Sequence, residues 1–380
     1  MSYLFLTMGD NQSGRSLAVR ERTGFTLIEL LVSMAVLSLL GILILTMVQS
    51  VSSATKRARD QVESYQGARA GFEALTRTIA QATLNTYWDY YDSAGKPAND
   101  GAYSGTPAKY GRQSELHFRS GPTKDLFGAA NDGLKRPTGA VFFQVPAGFS
   151  SNSTLEPLTN ILNAVGFFLE FGSDENLRPD FLAGLTDSPL RYRYRLMQMQ
   201  QPSENLQIYT PDATAGRTKW FTDPLGFTAT VAEKDRPVSV LAENVIALVI
   251  VPKLSSTEDP SGAALVKTLL PDYNYDSRTE THYSATPASG SPITGTTLHQ
   301  LPPLVEVIMV VIDESSAQRL AATNGTNPPD FGQGGLFQDL SSSTMDKDLA
   351  TLEKNLTAQS VNYRIYRTVV GIRGAKWSND

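Results

Sequence analysis

Residues 25–48 read FTLIELLVSMAVLSLLGILILTMV, twenty-four residues in which Glu29 carries the only charge. As a helix this stretch spans roughly 36 Å, enough to cross a hydrocarbon core of about 30 Å. Its fifteen Leu, Ile, Val and Phe residues each favour insertion by about 0.3 to 0.6 kcal/mol, against roughly 3 kcal/mol for one carboxylate. The segment therefore inserts despite Glu29. The residues before it are mostly polar and end with Arg15, Arg20, Arg22, Thr23 and Gly24. Basic residues on that side put the N-terminus in the cytoplasm and the rest of the chain outside it. A secretory signal peptide has an apolar stretch of about 7–15 residues and is cut beyond it at small residues. Ser50–Ala54 offers such small residues, but the apolar run is too long for that reading.

Beyond Val48 the pattern turns amphipathic. Val51, Ala54, Ala58, Val62, Tyr65, Ala68, Phe72, Leu75, Ile79 and Ala82 recur at intervals of three or four, one apolar stripe on a continuous helix. Lys56, Arg57, Arg59, Asp60, Glu63, Arg69, Glu73 and Arg77 occupy the other side. The spacing predicts a helix over 25–82, roughly 87 Å long, with its upper half packed on a sheet. A coiled coil competes with this reading, but the stripe is rich in Ala and aromatics and lasts only about four heptads.

From Asn85 the helical pattern stops, and residues 83–380 read as a β-rich domain. The strand candidates are Val141–Val145, Val165–Phe171, Leu190–Met199, Asn244–Val251, Leu304–Asp313 and Val361–Ile372. Tyr192 and Tyr194 alternate with Arg191, Arg193 and Arg195, which predicts one wet face. The nearly all-apolar Leu304–Ile312 predicts a central or covered strand. Polar loops are expected at Ser255–Gly262, Tyr273–Gly295 and Thr323–Gly335. Met345, Leu349, Leu352 and Leu356 mark a short helix, with Ser342, Ser343 or Thr344 as its cap. The expected fold class is α+β: a long N-terminal helix on a mainly antiparallel sheet with enlarged loops.

Composition removes several functions. A net charge of −5 supplies no global basic field for nucleic acid. The absence of cysteine excludes disulfides, thiolate metal sites, a Cys nucleophile and a lipidated Cys. It leaves an exported location open, because a large core can do without disulfides. His117, His282 and His299 are scattered outside any metal-ligand spacing. Neither a G-x-S-x-G elbow nor a P-loop or G-x-G-x-x-G fingerprint occurs. Asp272, Asn274 and Asp276 place oxygens at alternate positions, but an EF-hand needs Gly and Glu where Ser277 and Tyr283 stand. Tyr87, Trp88, Tyr90 and Tyr91 suit core packing or loop anchoring, with a binding surface as the competing reading. No catalytic residue, cofactor or metal is expected.

Gly24-Phe25-Thr26-Leu27-Ile28-Glu29-Leu30 resembles the class III prepilin motif of type IV pilins and type II secretion pseudopilins. The resemblance implies a basic leader, residues 1–24, cut after Gly24 by a membrane prepilin peptidase that also methylates the new N-terminal Phe25. It implies that Glu29 neutralises the Phe25 amine of a neighbouring subunit and sets the axial register. That role suits a carboxylate in the bilayer, which is costly unless paired. More loosely, Phe72, Leu75, Arg77 and Ile79 stand as in the F-x-x-L-x-R-x-hydrophobic stretch of J-type minor pseudopilins. Val240–Val245, Leu301–Val307 and Ala375–Ser378 are similar to that group in order, most of all to the Verru_Chthon cassette protein C group.

The expected function is thus a structural minor pilin or pseudopilin near a filament tip. Its expected partners are prepilin peptidase, other pilin-like subunits, the inner-membrane assembly platform and the lipid bilayer, with no nucleic acid. The expected location is a single-pass inner-membrane protein, N-terminus cytoplasmic and outer domain extracytoplasmic, and then the filament. Two readings compete: a tip adhesin of a surface pilus, and a membrane-anchored enzyme or binding protein with an uncut leader.

Overall fold

The computed structural model describes residues 24–380 apart from 99, 129–132, 156, 179–188, 211–216, 228–230, 256–272, 280–281, 286–292, 340–343 and 377–380. Residues 1–23, where most of the expected leader falls, lie outside this set, as do Asp272, Trp377 and Ser378. The chain divides into two compact units between Lys56 and Arg57. The fold is α+β, a long N-terminal helix with a mainly antiparallel β-domain.

Helix α1 runs Leu27–Ile79. Up to Lys56 its described side chains are all exposed. In the second unit the predicted stripe divides: Val62 is 53% exposed, whereas Ala68, Phe72, Leu75 and Ile79 are buried. The helix end is tied down on two sides. Arg373 N–H donates to Ala80 O and Thr83 N–H to Gln144 O, so the final turn does not waste its polar backbone groups.

Two antiparallel sheets receive that stripe. The larger has strand order β7 (Val238–Glu243), β6 (Arg193–Gln201), β5 (Asn163–Gly172), β4 (Gly139–Val145), β3 (Arg119–Pro122) and β9 (Tyr275–Asp276). The smaller has order β13 (Tyr363–Gly371), β12 (Leu304–Ile312) and β8 (Val245–Lys253), with the all-apolar β12 in the middle. Period-two alternation sorts their side chains. Val141, Phe143, Val165, Phe167, Val305, Val307 and Met309 meet α1 in one core.

The opposite faces build two further cores. On the small sheet Ile308, Val310 and Val249 pack with α4 (Glu314–Asn324) and α5 (Met345–Ala358), through Leu320, Leu352 and Leu356. On the large sheet Phe142, Phe168 and Met199 pack with Phe127 of α2 (Thr123–Phe127) and with Trp220 and Phe221 of α3 (Lys219–Thr222). Phe142 stacks on Phe221 with centroids 4.1 Å apart. That stack is fitted around Gly166 opposite it in register. A Cβ at Gly166 would lie 2.1 Å from the Phe142 ring.

Thr344 caps α5 as its sequence position predicts, its hydroxyl accepting from Lys347 N. Helix α4 escapes a pattern reading because little of it is apolar, yet Asp313 caps it by accepting from Ser316 N at 2.9 Å. Short strands also form where none is expected. β9, β10 (His282–Ala285) and β11 (Ile293–Thr296) fall on the expected loop 273–295 or at its end, and β1 (Tyr87–Tyr91) pairs with β2 (Lys109–Gln113) in a ribbon.

The expected wet face of β6 is overturned. Arg193 is 5% exposed and pairs with Glu314 (Nη2 to Oε1, 2.7 Å). Arg195 is buried and donates to Glu243 Oε1 at 3.3 Å and Gly172 O at 2.8 Å. Alternation assigns charges to water only when no carboxylate is folded over them, and here the next strand and α4 supply those carboxylates. We expect Gly166→Ala to destabilise the domain by roughly 1–3 kcal/mol, because its methyl group meets a ring locked in a stack. Denaturant unfolding measures this, and an unchanged midpoint would contradict the packing.

Candidate functional site

The motif Gly24–Glu29 lies at the start of α1. Thr26 precedes the first helical residue and acts as its N-cap. Its hydroxyl oxygen accepts from Glu29 N at 3.3 Å. In return Glu29 Oε2 accepts from Thr26 N at 3.2 Å and from the Thr26 hydroxyl at 3.1 Å. This is a reciprocal capping box, which satisfies two orphan donors of the first turn. The T-x-x-E spacing of Thr26 and Glu29 is the sequence signal for this box, and it is not among the expectations drawn from the sequence. The capping box also gives Glu29 local donors, reducing the cost of holding a carboxylate in lipid. Phe25 is 83% exposed, and a Cβ at Gly24 would meet nothing within 4 Å.

Farther along, the polar side chains of the apolar stretch bond to their own backbone. Ser33 donates to Leu30 O, Ser38 to Ala35 O and Thr46 to Leu43 O, each at 2.9 Å. No hydroxyl among these three needs a partner from outside the helix. Among the described residues, α1 is the one helix long and apolar enough to cross a membrane.

Residues 20–45 match the family model of the prokaryotic N-terminal methylation motif. No curated protein and no solved structure matches the chain. The matched motif supports a type IV pilin or pseudopilin whose leader is processed by prepilin peptidase and which assembles with other pilins. Together with the apolar helix it fits a single-pass, membrane-anchored pilin. It points to a structural protein rather than to an enzyme family.

The outer candidates fare differently. The aromatics of residues 87–91 do not simply pack: Tyr91 is buried, but Trp88 is 62% exposed and Tyr87 and Tyr90 are also exposed. A two-stranded ribbon has no third layer to cover both faces. Tyr90 instead meets the exposed Tyr110 across the ribbon at 4.5 Å between centroids.

Of the Asp272, Asn274 and Asp276 pattern, Asp272 lies outside the described residues and the other two are held by other bonds. Asp276 Oδ1 accepts from His117 Nε2 at 2.7 Å and from Arg278 N at 2.8 Å, and Oδ2 accepts from Thr279 Oγ1 at 2.9 Å. Asn274 Nδ2 donates to Asp125 Oδ2 at 2.7 Å. Among the described residues no cluster of three metal-ligating side chains occurs. Trp220 Nε1 donates to His117 Nδ1 at 3.1 Å, so the proton of a neutral His117 sits on Nε2. Burial pushes the His117 pKa down and favours that neutral ring. For Asp276 burial opposes ionisation, but the His117 hydrogen bond and nearby Arg119 outweigh it and hold the carboxyl low.

Replacing Thr26 by Ala removes one side of the capping box. We expect a loss of about 1 kcal/mol in the first helical turn, read as faster amide exchange at Glu29 and Leu30 in detergent micelles. Burial, then the charges of Arg278, Arg217 and Arg112, push the His299 pKa down to about 4. Below an unfolded value of about 6.5 the unfolded chain takes up the proton first. Stability is therefore complete above that pH and falls as pH drops toward 4. Denaturant unfolding across this window should show the fall, and His299→Asn should shrink it by up to about 3 kcal/mol, leaving the part due to His117.

Proposed function

We propose that this chain is a minor pilin or pseudopilin, cut after Gly24, methylated at Phe25 and assembled through its N-terminal helix. The observation that carries this is the match over residues 20–45 to the N-terminal methylation motif. It falls on the cap of the one helix, among the described residues, that is able to span a bilayer. In this reading residues 1–24 are the leader and 25–48 the transmembrane part of a helical arm over 25–82. Residues 83–380 are the extracytoplasmic domain. Glu29 pairs with the Phe25 amine of a neighbouring subunit and sets the axial register, exchanging its Thr26 partners for a charged one. Such an exchange is favourable in lipid because an ion pair neutralises both groups. The inner-membrane assembly platform and the bilayer complete the set of partners.

The J-type assignment, nearest the Verru_Chthon cassette protein C group, rests on the Phe72–Ile79 stretch and the order of the strand segments. Phe72, Leu75 and Ile79 of that stretch are core residues, as a packing motif requires. A position near the filament tip follows from that assignment. A tip adhesin is the second reading, favoured by the exposed Trp88, Tyr90 and Tyr110 on one ribbon.

Mass spectrometry of the mature protein should find N-methylated Phe25 at its N-terminus, and Gly24→Ala should accumulate the uncut form. Glu29→Ala should reach the membrane at normal levels and fail to assemble. Normal filaments built from that variant would rule out the register role.

A further inference from the structure

A cavity of about 460 Å³ opens on the face of the large sheet where β5, β6 and β7 meet. That volume lies within the roughly 300–1,000 Å³ of small-molecule pockets. Its charged lining comprises Lys135, Arg195, Lys234 and Arg236 against Glu170 and Glu233. Two further groups act from just behind the wall. Arg136 Nε donates to Glu170 Oε1 at 2.9 Å, and Glu243 accepts from Arg195. Five basic side chains thus meet three acidic ones, in a protein whose net charge is negative.

The imbalance is centred on Glu170. This buried carboxylate is shared by two guanidinium groups, Arg136 on one oxygen and Arg236 on the other, the latter at 2.9 Å. Arg195 stands directly across from it in the β5–β6 register. The Arg236 side chain is only 7% exposed. The Arg236 guanidinium lines the cavity while sharing its carboxylate with Arg136, and a buried cation in excess of its counter-charge is expensive. That cost falls if an anionic oxygen enters the cavity. Phe171 and Tyr192 supply apolar wall beside the charges, which suits a ligand with a ring or chain attached to its anionic head.

We infer that this cavity binds a small organic anion, a carboxylate or phosphate ester on an apolar body, through Arg236 with Lys234 at the rim. The site is independent of leader processing and filament assembly, so its failure leaves that reading untouched.

Isothermal titration calorimetry on the full chain in an uncharged detergent tests it. The probes are phenyl phosphate, benzoate and inorganic phosphate, with neutral benzyl alcohol as control. Phenyl phosphate or benzoate should bind saturably, more tightly than inorganic phosphate and more weakly as salt rises, and benzyl alcohol should not bind. The better of the two aromatic anions identifies the head group. Arg236→Lys keeps a charge for Glu170 but removes the planar guanidinium from the cavity wall, and should weaken binding by about tenfold or more. Lys234→Glu reverses an exposed rim charge without threatening the core and should weaken it several-fold. It decides the matter alone if Arg236→Lys does not fold. No saturable binding of any anion up to ~10 mM, equal binding of benzyl alcohol, or affinities indifferent to the substitutions that fold would overturn the assignment.

Discussion

The central core of the β-domain is arranged around the burial of one helical stripe, Ala68, Phe72, Leu75 and Ile79, continued by Ala82 just past the helix. A helix can offer only one such stripe, and here two sheets compete for it. Each sheet answers with the same-parity side chains of its central strands, so one core holds the helix, the large sheet and the small sheet. Close approach matters as much as hydrophobicity. Gly71 lies on the contact, where a Cβ would sit 2.9 Å from the Ala242 methyl and 3.0 Å from Leu241 O. The ends of the stripe are fastened by polar bonds, with Tyr366 donating to Tyr65 O at one end and Arg373 N–H to Ala80 O at the other.

Once the inner faces are committed to α1, alternation forces every second side chain of the same strands outward. Those residues are also large and apolar, so each sheet needs a cover. The small sheet uses α4 and α5, and the large sheet uses α2, α3 and the turn around Leu225. The enlarged loops of this chain therefore have a structural task, because they carry the pieces that keep the outer faces dry. Their cost is a set of charges brought inside. Arg193, Asn244 and Glu314 form one hydrogen-bonded group, in which Asn244 also takes the positive φ of 62° at the β7–β8 turn. Glu306 is held between Lys253 and Arg367. Such groups are tolerated because each carboxylate meets a cation, and removing either partner would strand the other.

Much of this was legible in the residues. The apolar run, the switch to a three-four stripe, the six principal strands and the Thr344-capped helix all follow from periodicity and caps, which are local properties. Seven short strands and the helices α2, α3 and α4 were not legible. Two-residue β9 and four-residue β3 exist because neighbouring strands offer them hydrogen bonds, and nothing in so few residues announces that. The two faces of β6 were misread for the same reason: whether an arginine is wet depends on a carboxylate more than a hundred residues away, as Glu314 is from Arg193. At the N-terminal motif the carboxylate is visible in the sequence, and its bond to Thr26 has a local signal in the T-x-x-E spacing.

Taken alone, the sequence determined the long helix, its membrane-compatible lower part, the motif at its start and the β-rich character of the rest. These depend on composition and on intervals of two, three and four residues, over which the chain's own geometry dictates which side chains share a face. Only the tertiary structure decided how far up α1 the stripe is covered, which charges are buried, that Trp88 and Tyr90 stay exposed, and that a cationic cavity opens beside Glu170. Those outcomes depend on groups distant in sequence arriving at one place. Burial and pairing are properties of that meeting, and no local pattern encodes them.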